Sequence, residues 1–510
     1  MRTFARIVWL GALTAMVVAA VARPAAAQPA PAPKGGGAIK FATQADPDGL
    51  DPHRSPADST FIIAMNIFDS LVMTNPAGQL LPGLAAKWDV SPDGVTYTFH
   101  LRRGVTFHTG KPFTAADVKY SLARMSEKGK SPHAADYAII KSVETPDPMT
   151  VRFTLERPSG RFLSDLAYGW ASIVPEGAGD ELRRNPIGTG PFRFVEWVPD
   201  SHIKLRRNPN YFLAGRPFLD EVVFRIMPDE TARLTALKAG DLDVADRIPP
   251  QSVAELRRQP GVRVETFPRN TLSELAINQA EKPFNDLRVR RALFQATDRK
   301  AVLEGAIFGF GRLIGSFMPP IISEYYVELN DRYQYDPAKA KQLLAEAGFA
   351  NGFETTIYLP QPYSEYIKGG EIIASQVKKV GVNAKLVTLE WGAWLDKIYK
   401  RHDYGLTVIG HVGRLDPITL LERFKTGYNA NYFGYANPEY DKLVAEADVT
   451  HDKAKRREMV AKLQRFLSED AVCVWLVSTD GIVAFQKDVY GYTELAIPGN
   501  RLTDVYRAGN

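Results

Sequence analysis

Asp336-Pro337-Ala338-Lys339-Ala340-Lys341-Gln342-Leu343-Leu344-Ala345-Glu346-Ala347-Gly348 is a helix with both of its ends written into it. Asp336 offers an oxygen to the free N–H groups of a first turn, Pro337 fills the first helical position, and Gly348 stands just past the end. Working outward, the sequence predicts a strand at 353–359 and a helix at 364–380 stopped by Gly381. A strand at 382–389, a short helix at 393–400 and a strand at 404–410 follow. Strands alternating with helices in this way argue for an α/β sheet with parallel neighbours and a ligand crevice outside the strand carboxyl ends.

The preceding part of the chain, 38–272, has a different texture of short strands and turns. Tyr97, Phe99 and Leu101 alternate onto one face, after the turn signal Pro92-Asp93-Gly94. Val151, Phe153 and Leu155 repeat that alternation. Thr114 with Asp117 three residues on predicts a helix start, with the helix running to about Met125. Two textures in one chain suggest two lobes, and there is no internal repeat.

Composition limits what such a chain can be. Of 510 residues, 45% are hydrophobic and 24% charged, ordinary values for a globular protein with a prior of two or three domains. A net charge of +5 is too slight for a nucleic-acid binder of this size. With Cys473 as the only cysteine, an intramolecular disulfide and a thiolate metal cluster are both excluded. The N-terminus reads as an export signal: Arg2 and Arg6, an uncharged run at 7–22, then Ala25-Ala26-Ala27, with cleavage before Gln28. A membrane span needs about 20 apolar residues, and this run is shorter and diluted by Gly11 and Thr14. No cysteine follows it to carry a lipid and no arginine pair marks a twin-arginine signal, so a soluble periplasmic protein is expected. Residues 28–37, Gln-Pro-Ala-Pro-Ala-Pro-Lys-Gly-Gly-Gly, read as a flexible tether.

Catalytic patterns are missing. There is no G-x-S-x-G, H-E-x-x-H, phosphate loop or G-x-G-x-x-G. Gly188-Thr189-Gly190-Pro191 is glycine-rich, but Pro191 and Phe192 follow where a phosphate cradle wants donor amides, so it reads as a structural turn. The eight histidines include no i, i+4 pair for a metal, and Cys473 lies in a buried-strand run as an inert core thiol. The basic cluster Lys453, Lys455, Arg456 and Arg457 reads as a solvated helix face. No catalytic residue, cofactor or metal ligand is assigned, and the chain is read as a binder, not an enzyme.

Several segments, in order, resemble the extracytoplasmic solute-binding proteins of peptide/nickel-type ABC importers, family 5. They include Leu50-Asp51-Pro52, Asn66-Ile67-Phe68-Asp69-Ser70-Leu71, and Leu81-Pro82-Gly83-Leu84-Ala85 ahead of Trp88. The stretch 107–118, Phe-His-Thr-Gly-Lys-Pro-Phe-Thr-Ala-Ala-Asp-Val, is the most specific. Gly188-Thr189-Gly190-Pro191-Phe192, Asn208-Pro209-Asn210-Tyr211, the run 284–293 and Asn437 to Leu443 extend the series. The resemblance implies a two-lobed α/β binding protein of type II, with mixed sheets, flanking helices and an extra subdomain inserted in the first lobe. Its expected borders are 1–27 signal peptide, 28–37 tether, 38–72 first lobe, 73–184 inserted subdomain and 185–272 first lobe. The second lobe would span 273–479, and 480–510 would return to the first. Such a protein clamps a small peptide-like or anionic solute and delivers it, as a monomer, to ABC permease subunits in the inner membrane.

The resemblance also places the ligand. In the family's peptide binders, the stretch matching Gly410-His411-Val412-Gly413-Arg414-Leu415-Asp416-Pro417 carries a tryptophan after the glycine, and then an aspartate for the peptide's α-amino group. Here His411 stands at the tryptophan and Arg414 at the aspartate. An arginine cannot hold an ammonium; its fork of donors suits a carboxylate or phosphate. Asp416 remains as an alternative acid, or as a turn element. Thr60 and Phe61 match a first-lobe position that borders ligands. Trp391 and Trp394 could give one core ring and one cleft wall, and Tyr428 and Asn429 lie in a loop near the same crevice. The competing readings are a secreted hydrolase and, within the family, a binder of a non-peptide anionic solute or a metal chelate.

Overall fold

The computed structural model describes residues 31–361 and 363–508. The expected signal peptide lies outside the described residues. Three sheets organise the chain from Pro33 onward. In the largest, the strands run in the order Val262–Pro268, Val477–Gln486, Val244–Ala245, Ala38–Thr43, Glu221–Ile226, His202–Arg207 and Phe192–Val198. Ala38–Thr43 pairs in parallel with both of its neighbours and the other pairings are antiparallel. The second sheet has the order Val382–Leu389, Phe353–Pro360, Leu406–Val412, Thr271–Ile277 and Cys473–Trp475. Its first three strands are mutually parallel, as the strand–helix alternation predicts, and the last two join antiparallel. A third, four-stranded antiparallel sheet holds Ala85–Val90, Thr96–Leu101, Thr150–Leu155 and Ile140–Asp147.

The chain moves from the largest sheet to the second between Pro268 and Thr271, and returns between Trp475 and Val477. The Thr271 and Thr479 hydroxyls lie 2.8 Å apart and tie the two crossings side by side. Two short links between two separately cored sheets are what hinge motion requires, because few internal contacts change when the bodies rotate.

Local structure follows local sequence. Asp336 Oδ1 accepts from the Lys339 N–H at 2.9 Å to start the helix Pro337–Glu346, and Gly348 beyond it adopts φ +91°. The Asp117 carboxylate accepts the Thr114 N–H at 2.8 Å at the start of Ala115–Met125. In the four-stranded sheet, Tyr97 faces Phe153 and Phe99 faces Val151, all buried. Each such ring or branched chain contributes roughly 1.5–3 kcal/mol by leaving water. The Gly188–Pro191 turn is structural: a Cβ on Gly188 would sit 2.0 Å from the Ile67 carbonyl oxygen. Cys473 is fully buried, and burial pushes its thiol well up.

Two expectations need correction. The segment read as a free tether is partly bound: Gly36 N–H donates to the Phe218 carbonyl at 2.8 Å and Gly37 N–H to Asp220 Oδ2 at 3.1 Å. Left-handed φ values of +110° and +85° at these glycines let the backbone lie against that segment. The helix expected at 393–400 starts earlier, as Trp391–Trp394, and continues as a wider π-turn over Leu395–Lys400. Glu390 caps it by accepting from the Gly392 and Ala393 N–H groups, at 2.7 and 3.2 Å.

Candidate functional site

The strand Leu406–Val412 ends in the loop that carries His411, Arg414 and Asp416, and the structure gives these three side chains different situations. His411 is anchored. Arg423 Nη1 donates to its Nδ1 at 2.9 Å, and a guanidinium can only donate, so the ring proton sits on Nε2. Nε2 lies 2.8 Å from Glu274 Oε1 and 3.0 Å from the Tyr432 hydroxyl. His411 is therefore fixed at both nitrogens, with its side chain 10% exposed.

Asp416 is committed elsewhere. Its Oδ1 accepts the Ile418 N–H at 2.9 Å, capping the helix Pro417–Leu421. Arg456 grips the same carboxylate at 2.6 and 2.9 Å, with both side chains buried. A buried carboxylate paired in this way with Arg456 is committed to the protein, so the structure makes Asp416 a turn and packing residue. Arg456 is equally a buried partner, not part of a solvated face.

Arg414 is the opposite case. It is half-buried and has no hydrogen-bonded or ion-paired partner among the described residues. It stands within Coulombic reach of His133, Asp165 and Tyr168. Asp165 is half-buried, and desolvation raises its carboxyl well above the usual range in spite of Arg161 and Arg414.

Facing this loop is a pile of three parallel rings. His133 stacks on Trp170 at 4.1 Å and 3°, and Trp170 on Tyr168 at 4.2 Å and 7°. The Tyr168 hydroxyl accepts the Leu415 N–H at 3.0 Å, docking the pile onto the loop. Phe61 packs edge-on against Trp170 at 5.6 Å, and a Cβ on Gly169 would sit 2.8 Å from its ring. Phe61 thus supports the pile from behind while being 1% exposed. Thr60 is fully buried, with its hydroxyl bonded to Asp48, Gly49 and Ser55. Neither residue reaches a cavity as a free contact.

Trp391 and Trp394 stack on each other at 5.2 Å and 6°. Trp394 is buried and donates to Thr407 Oγ1 at 3.0 Å; Trp391 is half-buried and meets Tyr363 edge-on at 5.4 Å. Tyr363 and Tyr366 pair at 5.3 Å, and the Tyr366 hydroxyl would be 2.1 Å from a Cβ on Gly410, so only glycine fits below it. Tyr428 and Asn429 are exposed, with the Tyr428 hydroxyl on Glu422 at 3.2 Å. The structure therefore gathers His411, Arg414, Asp416 and, through the ring pile, Phe61 around one loop, and leaves the tryptophan pair and residues 428–429 to either side.

Sequence reasoning missed His133, Tyr168, Trp170, Glu274 and Arg423. The Tyr168-Gly169-Trp170 triplet carried a signal, since a glycine between large rings admits a close neighbour. Glu274 and Arg423 carried none, because their meeting at His411 is purely tertiary. Cavities of about 290 and 830 Å³ lie beside the chain crossings, lined by residues of and near the largest and second sheets. One of about 680 Å³ lies between the four-stranded sheet and the 415–416 and 450–457 segments.

The model of the bacterial extracellular solute-binding proteins, family 5, matches residues 79–432. The chain belongs to this family. It is 33% identical over 467 residues to di/tripeptide-binding protein 1 of Pseudomonas aeruginosa (strain UCBPP-PA14), covering 84% of this chain and 86% of that protein. The binding protein AgaA of A. tumefaciens R10, solved with agropinic acid, is 29% identical with a TM-score of 0.73, over 93% of this chain and 99% of AgaA. The unliganded open form of the periplasmic murein tripeptide binding protein MppA shares the fold, with a TM-score of 0.85 at 24% identity, over 94% of this chain and 99% of that one. This family 5 protein therefore has the two-lobed frame that captures a solute for an ABC importer. Among the described residues, no helix is long and apolar enough to cross a membrane, and no group of three or more His, Cys, Asp or Glu is placed to hold a metal.

Proposed function

We propose that this chain is the periplasmic binding component of an ABC importer for a small peptide-like solute whose acidic group docks at Arg414. One observation carries the reading: Arg414 is half-buried and unpaired, two residues from an aspartate that is already ion-paired with the buried Arg456. A guanidinium closed into a cleft costs several kcal/mol unless an anion joins it. The loop has no free acid for a peptide's amino end, so plain amine capture on the pattern of the family's peptide binders is not available there. The likeness to AgaA, which holds agropinic acid, supports an acidic solute. Export, release as a soluble monomer and handover to permease subunits of the inner membrane belong to the same reading.

Isothermal titration of wild type and Arg414→Asp tests it, using unmodified di- and tripeptides beside acidic amino-acid conjugates. The acidic compounds should bind wild type tightly and the variant weakly. Tight binding of plain peptides, untouched by the substitution, would place Arg414 outside the site.

A further inference from the structure

The cavity of about 290 Å³ beside the hinge is formed by both lobes: Asp58, Asp246 and Arg247 come from the first, and Asn270, Thr271 and Val412 from the crossing and the second sheet. Two of its residues carry buried acceptors with no partner. Asp246 is 5% exposed and its Oδ1 is unbonded. Asn270 is 6% exposed; its Nδ2 donates to the Ala496 carbonyl at 2.7 Å, which fixes the amide and leaves Oδ1 unbonded. A buried acceptor deprived of a donor is costly, and one such group in a lobe interface marks a place where a donor is missing.

The charges around the cavity say which donor. Arg269 is neutralised by a two-pronged pair with Glu494, 2.7 Å at each contact. That leaves Asp58 and Asp246 against Arg247, whose Nε is 4.0 Å from Asp246 Oδ2. Among the lining side chains the balance is negative, while the buried Arg233 acts on Asp246 from outside the cavity. The two unbonded oxygens are both acceptors, which favours a cationic donor over an anion. Arg247 is held at φ +51°, a left-handed conformation that non-glycine residues keep only where the surroundings impose it. Burial also raises the Asp246 carboxyl, in spite of Arg247, Arg269 and Arg233 nearby.

We infer that this hinge cavity is the subsite for the solute's amino group, held by Asp246 Oδ1 and Asn270 Oδ1. The inference rests on the solute-capture reading but not on Arg414. With both subsites in place, the solute is dipolar, with its amine toward the hinge and its acid toward the 410–417 loop. The amine-binding acid has then moved from the second-lobe loop to the first lobe.

Isothermal titration with matched probes decides it: L-alanyl-L-glutamate and putrescine, each beside its N-acetyl form, on wild type, Asp246→Asn and Asn270→Ala. Asp246→Asn keeps the shape and removes an unpaired buried acid, so its unliganded melting temperature should not fall; Asn270→Ala serves if that variant does not fold. At least one free amine should bind wild type tenfold or more tighter than its acetylated partner, and Asp246→Asn should erase that ratio without weakening the acetylated compound. Equal affinity within both pairs, or a ratio that survives both variants, overturns the amine subsite while capture itself stands. Binding of none of the four compounds overturns both.

Discussion

The charges behind the cleft and the charges in it are built differently. Behind it, three acids are paired with arginines: Asp416 with Arg456, and Asp69 with Arg501 at 2.8 Å together with the Thr189 and Tyr211 hydroxyls at 2.9 and 3.2 Å. Asp51 is likewise held by Arg124 at 2.6 Å. At the proposed subsites, Arg414, Asp246 Oδ1 and Asn270 Oδ1 are left without hydrogen-bond partners among the described residues. Saturated pairs fix one structure. Unsaturated groups store a demand that only a solute or lobe closure can meet, and they mark the functional surface more sharply than charge alone.

The comparison breaks first at Arg456. Replacing it with alanine strands Asp416 as a buried charge and should cost about 3–5 kcal/mol of stability, read by chemical denaturation. A loss below about 1 kcal/mol, the range of an exposed pair, would mean that this charge is not interior after all.

Next comes Arg414→Asp, which should leave the fold intact and weaken an acidic solute by about 2–5 kcal/mol in titration. A similar loss of stability without ligand would move Arg414 into the structural class.

Acid should act on the region behind the cleft through two histidines, His53 fully buried and His108 half-buried. His53 donates Nε2–H to the Ser172 carbonyl at 2.8 Å, and His108 lies 3.0 Å from the Gly190 carbonyl; burial holds both rings down to a pKa of about 4. A histidine depressed in the folded state binds its proton first when unfolded. Stability is therefore undiminished above pH 6.5 and falls as pH drops toward 4, by up to about 3 kcal/mol per ring. A melting temperature that is flat between pH 6.5 and 4 in wild type, or a fall unchanged by His53→Gln, would contradict this. The smallest effect belongs to Arg414→Ala, whose unliganded stability should stay within about 0.5 kcal/mol of wild type.

Much of the fold was legible because its signals are local. The cap at Asp336, the alternation at Tyr97–Leu101 and the strand–helix run to Gly410 each depend on neighbours in sequence. Glu390 as a cap was less visible, since a glutamate seldom plays that part. The site was half legible. Arg414 stood out by its type at its position, but whether it or Asp416 was free depended on Arg456, forty residues away. Asp246 and Asn270 carried no local signal at all. Their meeting at one cavity is a product of the chain crossing at 268–271.

The central claim is that two lobes close on a solute, and small-angle X-ray scattering measures it directly. A compound confirmed as a ligand by titration, at a hundredfold excess over its Kd, should contract the radius of gyration and stabilise the fold by roughly 2.7 kcal/mol. An unchanged scattering curve with the ligand demonstrably bound would contradict the clamp.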